Sequence, residues 1–284
     1  GNDTHLATQT VESFYEALQD SGEYTERLFD EWTLLFEQVC GFNFDKKKEL
    51  IEDNYNIEIN NQEEFRKALF ALFTYYALIA KLIAAEFAYY HNDSRFLSFT
   101  RTLVARSDDD LQNQLQWLEN GGIFKDAGIS NFLEAGLFSW YTDEWDENIA
   151  ESIRSMTGRM RKYDPGTLRD DPTETRDVFK TLYQKLVPDK LRKQLGEVFT
   201  PDWLAELTIE EAGYKGSGSF LDPACGSGSF LVLAVREKKQ HFKQNKDNLT
   251  DDEKRRLTSK ILNEIEGFDL NPLAVLAART NLLI

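Results

Sequence analysis

Cysteine is nearly absent from this sequence, and its first half lacks any basic surplus. Only Cys40 and Cys225 occur in 284 residues. Two thiols so far apart make neither a disulfide framework nor a clustered zinc site. Long apolar runs are missing too. The longest stretch, Ala68 to Tyr90, is interrupted by Lys81 and Glu86, short of the about 18 uninterrupted residues that a spanning helix needs. Thr4 to Leu18 is polar and acidic rather than leader-like. These absences point to a cytoplasmic protein with no membrane association. Residues 1–150 hold 11 Lys/Arg against 28 Asp/Glu, a balance of −17, whereas residues 151–284 are near neutral at +1. A surface that binds nucleic acid is basic, so the first half is a poor reader of DNA. It fits a solvated helical domain or a protein-contact surface.

A hydrophobic content of 41% and an aromatic content of 13% supply a packed core, and the length allows two domains. Gly1 to Thr10 begins without methionine and reads as an artificial edge. Apolar spacing predicts helices over Val11–Leu18, Tyr24–Val39, Glu63–Tyr90, Leu97–Leu118 and Asn148–Tyr163. Further helices are expected over Thr173–Leu186 and from Pro188 to Leu195. Asn54 to Asn61 alternates like a short extended segment. The Phe/Tyr-rich face of Glu63–Tyr90 has no interleaved Arg or Lys, which makes it core rather than a base-stacking platform. Asp108-Asp109-Asp110 reads as a solvated helix start, not a metal site. Asp45-Lys46-Lys47 matches half of a nuclease signature, but no partner aspartate on a strand precedes it.

The informative stretch is Asp222 to Leu231, DPACGSGSFL. Gly218–Leu221 before it suits a buried strand, Gly226-Ser227-Gly228 a tight turn, and Ser229 onwards an apolar helix. Strand, glycine turn and helix form the unit in which a nucleotide-like ligand meets a helix N-terminus. The spacing G-x-x-x-x-G-K-S/T is absent, which argues against a triphosphate site. Asp222 at the strand end would repel a pyrophosphate and attract a cation. S-adenosylmethionine, with its sulfonium and α-ammonium, fits that demand. Upstream, LGEVFTP (Leu195–Pro201) precedes the helical Asp202–Glu211, with Thr200 free to cap it and Pro201 tolerated in the first turn. Downstream, EIEGFDLNP (Glu264–Pro272) reads as a second parallel strand, Ile265–Leu270, ending in Asp269, then a helix from Pro272 to Leu283. Gly228 and Asp269 are 41 residues apart, against about twenty in dinucleotide-binding folds. A helix over Asp251–Leu262 fills the excess.

GEVFTP, DPACGSGSFL and GFDLNP in this order resemble motifs X, I and II of adenine-specific DNA methyltransferases of the gamma class. That class includes type I modification subunits and fused restriction–modification enzymes. The resemblance covers about residues 180–284. It implies a helical amino-terminal domain (1–175) followed by the start of an α/β Rossmann-like class I methyltransferase fold (176–284). It also implies that Phe199, Thr200 and Pro201 border the methionine part of S-adenosylmethionine. Asp222, Ala224, Gly226 and Gly228 would line the methionine and ribose. Asp269 would hold the ribose hydroxyls, and Leu270 would pack on the adenine. Methyl transfer to the exocyclic amine of a flipped adenine is the implied reaction. The family's catalytic tetrapeptide, Asn/Asp-Pro-Pro-Tyr/Phe, does not occur in the sequence, so no catalytic residue is assigned.

The chain thus reads as part of a larger methyltransferase that meets double-stranded DNA through regions outside this fragment, with a specificity or restriction subunit as partner. An open sheet edge after the second strand would favour self-pairing. Two other readings remain: a non-catalytic assembly module built on the acidic helices, and a methyltransferase acting on RNA or protein.

Overall fold

The computed structural model describes residues 2–40, 44–92, 98–133, 136–160, 200–243 and 248–283. Two compact units divide the chain, residues 1–196 and 197–283. The expected boundary at residue 175, the helices over Thr173–Leu186 and from Pro188 to Leu195, and the residues after Met160 expected to extend a helix to Tyr163 lie outside the described residues.

The first unit is helical. Its elements are α1 (Asn2–Ala17), α2 (Glu23–Cys40), α3 (Phe44–Tyr55), α4 (Gln62–Asn92), α5 (Phe99–Val104), α6 (Asp108–Glu119), α7 (Gly122–Asp126), a 3-10 turn (Trp140–Thr142) and α8 (Glu147–Met160). Helix α4 is the axis, because α1, α2, α3, α5 and α7 all pack on it. It starts with a reciprocal cap: Glu64 N–H donates to Asn61 Oδ1 (2.9 Å), and Asn60 N–H donates to Glu64 Oε2 (2.7 Å). By length and composition α4 could cross a membrane, but 94% of its most apolar window is buried inside the protein. Its aromatic face is core. Phe70 and Phe73 pack against Trp32 (5.1 and 5.6 Å between centroids), and Trp140 Nε1–H donates to Thr74 Oγ1 at 2.8 Å.

Charges inside this unit are compensated. Lys81 Nζ meets Glu119 at 2.5 Å and the Phe138 carbonyl at 3.1 Å, while Tyr141 OH donates to Glu119 at 2.7 Å. Buried Glu86 accepts the Phe99 and Thr100 N–H groups (3.1 and 2.6 Å), satisfying orphan donors at the start of α5.

Asn2–Thr10 is helical, the first part of α1. Two expectations need correction. The helix expected over Leu97–Leu118 is two, α5 and α6. They part at Ala105–Ser107, where the Ser107 hydroxyl caps α6 by accepting from Asp110 N–H (3.4 Å). Asp108, Asp109 and Asp110 fill the first turn of α6, and Asp108 pairs with Arg154 of α8. Of the segment expected to be extended, Asn54 and Tyr55 end α3 instead, while over residues 56–60 Ile57 and Ile59 are buried between exposed Asn56, Glu58 and Asn60; α3, not anticipated, carries Asp45-Lys46-Lys47 on a helix. Among the described residues no group of metal-ligating side chains is assembled.

The second unit contains α9 (Asp202–Glu211), β1 (Phe220–Asp222), α10 (Ser229–Lys243), α11 (Asp251–Glu264), β2 (Ile265–Gly267) and α12 (Pro272–Leu283). The strands pair in parallel, with Phe220 opposite Ile265 and Asp222 opposite Gly267. Both are shorter than the sequence predicts. Gly218, at φ +79°, stands outside β1, and β2 ends at Gly267, so Asp269 lies beyond its end. Helix α10 joins two small cores, one with Ala205 and Ile209 of α9 around Leu233, the other with Cys225 and Ala278 around Leu231. Buried Lys238 of α10 donates to Gly218 O (2.8 Å) and pairs with Glu264 (2.5 Å), tying α10 to the entry of both strands. The inserted α11 opens with a capping box between Thr250 and Glu253.

Candidate functional site

The glycine turn Cys225–Gly228 stands at the carboxyl ends of both strands. Parallel pairing brings Asp222 of β1 beside the end of β2, and the backbone closes the junction. Phe268 N–H donates to Asp222 O and Cys225 N–H donates to Phe268 O, both at 2.9 Å. Asp269 then reaches into the turn. Its Oδ2 accepts Gly226 N–H (2.8 Å), and its Oδ1 accepts Asn271 N–H (2.8 Å). The residue expected to hold a ribose therefore also builds the turn, with one lone pair per oxygen left for a further donor.

Asp222 is different. Its Oδ1 accepts the Ala224 N–H at 3.1 Å, but its Oδ2 is buried and has no hydrogen-bond partner in the protein. Buried acceptors are nearly always paired, and an unpaired one costs about 1–3 kcal/mol. The Asp222 carboxylate oxygen beside the glycine turn is thus left without a donor in the protein. Burial, then the carboxylates of Asp269 and Asp222, push the Cys225 thiol up to about 11. Cys225 is therefore a neutral core side chain, not a nucleophile.

The two expected glycines serve different ends. Both have left-handed backbones, Gly226 at φ +52° and Gly228 at φ +84°. A Cβ on Gly226 would meet nothing within 4 Å, so the space above it is open. A Cβ on Gly228 would press on Ala278 of α12 at 3.1–3.2 Å, so this glycine serves helix packing. Sequence spacing alone could not separate the two roles.

Ala224 is exposed, and so is Leu270, at 67% of its surface. Phe199 lies outside the described residues. Thr200 does not cap α9: Pro201 occupies the N-cap position with no side-chain hydrogen bond, and the helix starts at Asp202. Pro201 is exposed and Thr200 half-buried. A residue that motif reading missed is Asn281 of α12, whose Nδ2–H donates to Ser227 O at 2.8 Å. Its signal, a polar residue among the apolar positions of α12, is present in the sequence but has no motif attached. A cleft of 330 Å³ lined by Ser217, Lys238, His241, Lys260 and Glu264 lies at the opposite, amino-terminal ends of the strands and contains none of the expected residues.

A family profile described as N-6 DNA Methylase matches residues 174–284. The methylase subunit of the type I restriction enzyme EcoEI of Escherichia coli is 28% identical over 113 residues. That alignment covers 39% of this chain and 21% of the relative, so the chain matches about a fifth of the curated protein's length. No solved structure matches. In its carboxy-terminal part, residues 174–284, this chain is thus similar to the N-6 DNA methylase family.

Proposed function

We propose that the second unit is the cofactor-holding beginning of a class I methyltransferase domain, within a DNA adenine methyltransferase of a restriction–modification system. The observation that carries this reading is the buried, unpartnered Oδ2 of Asp222 beside a turn left open above Gly226. A carboxylate there suits the α-ammonium of S-adenosylmethionine, a charge-assisted donor that would satisfy the orphaned acceptor. The cofactor, when bound, supplies an electrophilic methyl group on its sulfonium. Asp222 would orient the amino-acid end, and Gly226 with Ala224 would admit the backbone-facing edge. Asp269 would accept from the ribose hydroxyls with its remaining lone pairs, and exposed Leu270 would offer an apolar face to the adenine. Thr200 and Pro201, with Phe199, would border the methionine. The sequence holds no Asn/Asp-Pro-Pro-Tyr/Phe segment, so the part of the reaction assigned to this chain is holding the cofactor, not gripping the target amine.

Calorimetric titration with S-adenosylmethionine, beside Asp222→Ala, tests this. Saturable binding that the variant loses supports the reading; no binding by the unsubstituted chain sinks it.

A second reading concerns the first unit. The −17 balance of residues 1–150 favours a docking role toward a specificity or restriction subunit over a DNA-contacting one. Double-stranded DNA would then be met through other parts of the full protein. Retention of such a subunit by the chain on an affinity column, lost at high salt, is the expected result.

A further inference from the structure

Two peptide planes of the glycine turn are held at both poles. The Cys225–Gly226 plane is tied at both poles, its carbonyl accepting from Gly228 N–H (2.8 Å) and its N–H donating to Asp269. The Ser227–Gly228 plane is tied at both poles as well. Its N–H goes to Cys225 O, and its carbonyl accepts from Asn281 Nδ2 at 2.8 Å, 54 residues further along the chain. Because a peptide unit is planar, holding both poles sets ψ of Ser227 and φ of Gly228 together. That φ, +84°, is the value that aims the chain into α10.

Asn281 keeps this contact at a cost. Its Oδ1 is buried with no hydrogen-bond partner, and an apolar side chain would pack there without leaving an acceptor unpaired. Packing alone does not call for an amide; the donor to Ser227 does. Ala278, three residues earlier and on the same face of α12, abuts Gly228. The helix is thus keyed to the turn by one apolar and one polar contact.

We propose that Asn281 is a positioning residue for the cofactor turn, acting through the Ser227 carbonyl to hold the turn in its ligand-ready conformation. This rests on the reading of the turn as a cofactor contact, and the test separates the two. The full chain and the variants Asn281→Asp and Asn281→Ala, neither of which donates at neutral pH, are compared in two measurements. The first is the carbonyl ¹³C shift of Ser227, recorded without ligand. The second is S-adenosylmethionine affinity by calorimetry. The expected result is an upfield Ser227 shift in both variants and affinity about tenfold weaker, the loss of one neutral hydrogen bond. An unchanged Ser227 shift in either folded variant overturns the proposal. So does a changed shift with unchanged affinity. If the unsubstituted chain binds no cofactor, the functional reading fails instead, while the Ser227 signal still decides whether Asn281 holds the turn.

Discussion

Asp222 illustrates how one side chain can be half structural and half free. One oxygen closes a local turn onto Ala224 N–H, and the other is buried without a partner. Asp222→Ala is expected to weaken S-adenosylmethionine binding by about 10- to 100-fold, the range for a hydrogen bond to a charged group, with Asp222→Asn between the two. Isothermal calorimetry reads the difference directly. Buried Lys81, Glu119 and Tyr141 make a contrasting case, because all their groups point at one another. Lys81→Met leaves Glu119 uncompensated and is expected to destabilise the first unit by about 3–5 kcal/mol. The double variant Lys81→Met/Glu119→Leu should recover most of that loss in urea unfolding. Recovery of none of it would show that the pair is not the source of the effect.

At the scale of elements, the glycine turn and α12 depend on each other. Gly228→Ala meets both a left-handed backbone and the Ala278 side chain, and should cost about 2–4 kcal/mol. Gly226→Ala meets only the backbone strain, about 1–2 kcal/mol, yet fills open space where the proposed cofactor would lie. Thermal unfolding should therefore rank Gly228→Ala as the worse for stability, and the opposite ranking would undo the assigned roles. The helices of the first unit carry their own pH signature. Burial pushes the Tyr55 hydroxyl up to about 12, partly offset by its hydrogen bond with Tyr76. Burial and Glu119 raise Tyr141 well above the ordinary 10.0. A folded value above the unfolded one contributes stability below pH 10 that is lost as pH rises through about 12. Urea midpoints should hold steady to pH 10 and then fall, and a fall beginning well below pH 10 would exclude these tyrosines as its cause.

For the whole molecule, the second unit displays apolar surface where a sheet is normally covered. Parallel strands are usually buried on both faces, yet Leu221, Phe268 and Leu270 are 57%, 58% and 67% exposed. Two strands are all that the described residues contribute to this sheet, and edges of this kind pair readily. Concentration-dependent self-association is expected in sedimentation velocity, and Leu221→Lys with Leu270→Lys should reduce it. A chain that stays monomeric at high concentration would count against the open edge. The net charge of −16 works against such association at low salt, so adding salt should strengthen it.

Much of the fold is legible in the sequence. Helical spacing located α2, α4, α10 and α12, and turn chemistry placed the glycine turn between a strand and a helix, because both signals are local. The aromatic face of α4 was readable as core from the helical spacing of its apolar residues, and the cation within it, Lys81, is buried against Glu119. Strand lengths were not legible: Gly218 and Phe268 continue an apolar pattern, but Gly218 has a left-handed backbone whose carbonyl accepts from Lys238, and Phe268 bonds to the glycine turn. Nor was the break at Ser107, where a capping hydroxyl outweighs a continuous helical pattern. What the sequence by itself determined is the identity of the groups at the site, two carboxylates and two glycines around a short turn. Only tertiary structure decided their division of labour. Asp269 builds the turn, Asp222 keeps an oxygen unpaired, Gly228 makes room for a helix and Gly226 for open space. The reason is physical: whether a lone pair or a Cβ position is free depends on what packs against it, and here that is a helix more than forty residues away.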